Sequence, residues 1–169
     1  MDVLPAELLD VLVKRVNQKL IGDDIVAWAL HAVESGIESP SLFTLAGLPM
    51  RISCADTEPY FERTLEELHV EIPETETLLY LYLLETAKGI AAGTIDVYKG
   101  LDQIHKHVIN PLEHPEELRG FCNMWEGNHP EGFDVVSDLD FEPFVRDYCQ
   151  RFLENLPAKI SHSKPSQAP

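Results

Sequence analysis

The chain has 169 residues, 44% apolar and 25% charged, which is length and apolar content enough for the core of one soluble domain. Twenty-nine acids face 13 bases, and the net charge of −16 argues against binding to nucleic acid or an anionic membrane while favouring a basic protein partner. Three widely spaced cysteines predict neither a disulfide framework nor a metal knuckle. The stretch from Met1 to Glu7 has no signal-peptide character and no apolar run approaches the ~20 residues of a membrane span, so a cytoplasmic protein is expected.

The apolar spacing predicts helices along the whole chain, and the expected fold class is all-α. Pro5 to Leu20 places Leu8, Leu9, Leu12, Val13, Val16 and Leu20 on one face, and Gly22 reads as its stop. Asp23 or Asp24 then caps a second helix that reaches Ser35, with Ile25, Trp28, Ala29, Ala32 and Val33 inward and His31 and Glu34 outward. Ser39-Pro40 opens a short third helix to Ala46. A fourth helix starts at Asp56-Thr57-Glu58-Pro59 and ends near His69. Its inner arc is expected to be Tyr60, Phe61, Thr64, Leu65 and Leu68, with Glu62, Arg63, Glu66, Glu67 and His69 outside.

The stretch Glu74 to Gly93 is expected to be the element the others pack around. Seven apolar or aromatic residues run unbroken from Leu78 to Leu84, too many for one narrow stripe, so the helix should be buried on most sides. Thr75 or Thr77 suits its start and Gly93 its end. Thr94 or Asp96 caps a sixth helix striped by Val97, Leu101, Ile104 and Val108 and stopped at Asn110-Pro111. Pro115 begins a seventh, with Leu118, Phe121, Cys122 and Trp125 at helical spacing. Residues 127–132 read as a loop, and 133–139 fit either a helical turn or an extended piece. The last helix, from Asp140 or Phe141 to about Asn155, should pack through Phe144, Val145, Tyr148, Phe152 and Cys149. The expected domain spans residues 1–156, followed by a disordered Ser-, Pro- and Lys-containing tail over 157–169.

Few residues carry chemistry. Glu66-x-x-His69 and Asp102-x-x-His105 imitate the carboxylate-x-x-His pairs of di-iron bundles, but Glu66 and His69 lie opposite the apolar arc of their helix and would face water. His105 and His107 diverge by about 200° on an α-helix and cannot chelate one ion. A rival reading assembles a metal-dependent hydrolase site from Asp102, His105, His114 and a carboxylate of Glu116-Glu117. It needs the loop beyond Pro111 to bring His114 back to His105. Cys54, just before a helix start, is the one cysteine whose position suggests a lowered pKa, with His31 or His69 as distant candidate bases. Asp134 to Glu142 superficially resembles a calcium loop, but Leu139 and Val145 stand where the glycine and the closing glutamate belong. There is no phosphate-cradling glycine loop and no Gly-x-Ser-x-Gly. No cofactor is expected.

Charge distribution is the remaining signal. Asp56 to Glu76 holds eight acids against Arg63 alone, and Glu131 to Glu142 holds five acids and no base. Glu62, Glu66, Glu67, Glu71, Asp134, Asp138 and Asp140 are therefore the expected binding residues for a basic protein. The order Trp28-Ala29, Leu45-Ala46-Gly47-Leu48, Phe61 with Leu65-x-x-Leu68, Pro73, Ala87-x-x-Ile90-x-x-Gly93-x-Ile95 and Gly100-x-x-x-Ile104 resembles a pattern in uncharacterised bacterial all-helical proteins. The resemblance covers about Asp24 to Ile109 and implies a bacterial cytosolic helical domain without transferable site residues. In physical character the chain is also similar to immunity proteins that neutralise secreted toxins. The expected function is non-enzymatic protein binding, in an immunity or antitoxin role or as a housekeeping interaction domain.

Overall fold

The computed structural model describes residues 4–127 and 138–156, with side chains from 141 onward in the second stretch. It is all-α, with eight α-helices and no strand among the described residues. The chain forms two compact units that meet in sequence between Glu74 and Thr75. The expected features of residues 128–137 and of the tail 157–169 lie outside the described residues.

The first unit contains α1 (Ala6–Val16), α2 (Gly22–Glu34), α3 (Pro40–Ala46) and α4 (Cys54–Glu67). Leu8, Leu9, Leu12 and Val13 of α1 are buried, as the apolar spacing requires, and Val11 joins them. Trp28 of α2 meets Phe61 of α4 edge-on, ring centroids 5.2 Å apart and planes at 90°, a favoured aromatic arrangement. Ser39 caps α3 by accepting the Leu42 N–H at 3.1 Å, with Pro40 at the first helical position. Gly22 does not end α1. It lies buried in the first turn of α2, where an added Cβ would stand 2.3 Å from the Ile52 carbonyl oxygen.

Helix α4 begins earlier than Pro59 suggests. Ser53 accepts the Asp56 N–H at 3.3 Å, and Pro59 fits inside the opening turns of a helix that starts at Cys54. This shift brings Thr57 into the buried face with Phe61, Thr64 and Leu65, while Tyr60 stays 38% exposed.

The second unit is organised on α5 (Thr75–Ala92), which packs against α6 (Val97–Ile104) and α8 (Asp138–Glu154). Leu78, Leu79, Tyr80, Tyr82, Leu83, Leu84, Ala87 and Ile90 are all buried, so this helix is enclosed on most of its sides. Gly93 ends it at φ 75°: its N–H bonds to the Ile90 carbonyl and that of Thr94 to the Gly89 carbonyl, which is a Schellman closure. Asp96 caps α6 by accepting the Lys99 N–H at 2.9 Å.

Helix α6 runs directly into one turn of π-helix, His105–Ile109, in which the Asn110 N–H reaches back to the His105 carbonyl. A short 3₁₀ turn, Glu116–Leu118, leads into α7 (Arg119–Gly127). In α8 the buried stripe is Val145, Cys149 and Phe152, at i, i+4 and i+7. Phe144, expected inside, lies one residue off that stripe and is 54% exposed.

Candidate functional site

Two groups of side chains are candidates for a functional site, one in each unit. The first is the acidic surface of α4, where the carboxylates divide by what they already hold. Arg15 of α1 reaches both Glu58 and Glu62, at 2.5 and 2.6 Å, with its guanidinium 5.9 Å from the Phe61 ring centre. Glu62 is therefore partly neutralised within its own unit. Glu67 accepts from the Ser41 N–H at 3.0 Å and the Ser41 hydroxyl at 2.7 Å. These bonds at the start of α3 hold its carboxyl below the usual range. It does structural work that its outward position on a helical wheel conceals.

Glu66 and Glu71 are exposed. Glu66 and His69 are both exposed, so the first carboxylate-x-x-His pair does not face the helical core. Asp138 and Asp140 fall in the first turn of α8, and Asp134 lies outside the described residues.

The second group surrounds the π-turn. His105 is 8% exposed and lies flat on Trp125 of α7, with centroids 3.4 Å apart and planes 2° apart. His114 comes back to it after all: the two imidazoles are 5.9 Å apart at 64°. Two consecutive left-handed residues, Glu113 at φ 58° and His114 at φ 57°, produce that return. Their N–H groups close a Schellman-type end on the carbonyls of Asn110 and Ile109. The Cys122 sulfur stands 4.0 Å from His114 Nδ1. His107 points elsewhere, edge-on to Tyr82 of α5 at 5.9 Å.

The acids needed for the hydrolase reading are engaged differently. Asp102 pairs with Lys106 at 2.8 Å, Glu116 with Arg119 at 3.1 Å, and Glu117 accepts the Tyr80 hydroxyl at 2.9 Å. Among the described residues no three His, Cys, Asp or Glu side chains meet as a cation would need. The structure thus brings together His105 and His114 of that set and leaves Asp102 out.

The thiols are not activated. Cys54 is the first residue of α4, yet burial and then the nearby Glu58 carboxylate, 3.7 Å from its sulfur, push it up rather than down. Cys122 is pushed up by burial and by Glu126, and burial alone takes Cys149 up to about 12.

The His105–Trp125 stack is the feature that sequence reasoning missed. Its partners are far apart in sequence, and each has an ordinary packing role on its own helix. The one available signal was the return of the chain through Asn110-Pro111 towards His114. The chain matches no protein-family model, no characterised protein and no solved structure.

Proposed function

We infer that this is a protein-binding protein of the cytoplasm, without catalytic chemistry of its own, whose partner is a basic protein. Neutralising a basic toxin in the manner of an immunity or antitoxin protein is the most concrete form of that reading. The observation that carries it is the excess of acids over bases in the chain together with the exposed carboxylates of its first unit. Lys14 is tied to Asp10 and Asp24, Arg15 to Glu58 and Glu62, and Arg146 to Glu142. These three bases answer five of the carboxylates, and exposed acids such as Glu66 and Glu71 remain on a chain of net charge −16. A surface of that kind steers a cationic partner electrostatically and repels nucleic acid. No described helix is long and apolar enough to cross a membrane.

The test uses the immobilised full chain in lysate at low and at high salt. A basic protein retained at low salt and released at high salt is the expected result. Glu66→Lys with Glu71→Lys should cut that retention about tenfold while leaving the circular dichroism spectrum unchanged. Retention of no basic protein at low salt overturns the reading.

A further inference from the structure

We propose that the ring cluster between the π-turn and α7 is a proton-operated latch on the connection 110–118. Imidazoles are the side chains that change charge between about pH 5 and 8. Neutral, His105 stacks flat on Trp125 and His114 stands edge-on beside it without charge repulsion between the two imidazoles. Doubly protonated, the pair becomes two cations whose rings are 5.9 Å apart, one of them in a nearly enclosed position.

The backbone beside them is poised to give way. Glu113 and His114 are successive non-glycine residues in the left-handed region, a costly conformation held by their N–H bonds to the Asn110 and Ile109 carbonyls. Ring repulsion and relief of that backbone act in the same direction.

The neighbouring charges set the balance. The elements that carry the rings also carry carboxylates: Asp102 on α6, Glu113 on the connection, Glu116 and Glu117 on the 3₁₀ turn, and Glu126 on α7. Of these, Asp102 and Glu116 are paired with Lys106 and Arg119, and Glu117 accepts from Tyr80 of α5. Lys106, Arg119 and a charged His107 add to the repulsion, and the thiol of Cys122 faces His114 in neutral form. Tyr148 of α8 meets α7 at Phe121 and brings no charge. Against release stands the attraction of a charged His105 for the Trp125 face.

The chain has two tryptophans, so two indole N–H signals in a nitrogen–proton correlation spectrum of the full chain, assigned with Trp28→Phe, read the cluster directly. Between about pH 8 and 5 the Trp125 signal should move along a sigmoid while that of Trp28 stays in place. Amide protection over 112–118, corrected for intrinsic exchange, should fall about tenfold on the acid side. His114→Asn keeps a residue that tolerates the left-handed backbone and removes the second charge. In that variant the loss of protection should disappear and the Trp125 midpoint should rise. A stationary Trp125 signal, protection that does not change with pH, or a His114→Asn chain that loosens like its parent would each overturn the latch.

Discussion

At Gly22 a single hydrogen in place of a methyl group decides whether two segments can cross. The carbonyl oxygens of Ile52 and Ser53 lie 2.3 and 2.9 Å from where a Cβ would be, and both belong to backbone that cannot rotate away. Gly22→Ala should therefore cost about 1–3 kcal/mol, read as a lower urea midpoint at unchanged slope. His69 poses the opposite case. It ends α4 at φ 53°, with its N–H on the Glu66 carbonyl and that of Val70 on the Leu65 carbonyl, a position where glycine is unstrained. His69→Gly should raise stability by about 0.5–1 kcal/mol in the same assay.

Cys149 supplies a pH signature. Its thiol is fully buried and pushed up from 9.0 to about 12, so between those values the folded chain holds a proton that the unfolded chain releases. Its contribution is complete below pH 9 and is lost as the pH rises towards 12. Unfolding midpoints should fall across that range, and Cys149→Ala should flatten that part of the curve. In the native protein Cys149 should also resist thiol reagents at pH 8 until denaturant is added.

Among the elements, α3 shows how a short helix is held. With only seven residues it has little stability of its own and depends on its N-terminal bonds. Ser39 accepts from Leu42, and Glu67 of α4 accepts twice from Ser41. Ser39→Ala should cost about 1 kcal/mol in the urea assay. Glu67→Gln should also lower the midpoint, and the two losses should be less than additive because both act on the same helix start.

The π-turn after α6 is the other element with a physical point. By carrying an extra residue in its turn, it continues the buried stripe from Ile104 to Val108 and Ile109 while turning His105 onto Trp125. A sixth helix stopping at Asn110-Pro111 was legible from apolar spacing. The π register inside it was not, because spacing alone does not distinguish α from π over five residues.

At the scale of the whole molecule, self-repulsion is the leading electrostatic fact. A net charge of −16 with pI about 4.6 means that added salt screens repulsion in the compact state more than in the expanded one. Raising sodium chloride from about 10 to 200 mM at neutral pH should raise the thermal midpoint, with most of the gain complete by the time the Debye length falls below about 10 Å. A flat or falling midpoint would mean that the internal ion pairs outweigh the excess charge.

The sequence by itself determined that the chain is helical and where most helices lie, because burial periodicity and capping are local properties of the chain. Leu8, Leu12, Ile25, Phe61, Leu83 and Ile104 could hardly be anywhere but inside. Ser39, Asp96 and Gly93 announce helix ends through their own chemistry. Tertiary structure alone decided which carboxylates are spent: Glu62 on Arg15, Glu67 on Ser41 and Glu117 on Tyr80. It alone brought His105, His114 and Trp125 into one cluster. Charge and ring type are written in the chain, but a partner many residues away is chosen by how the backbone returns, and no local pattern records that.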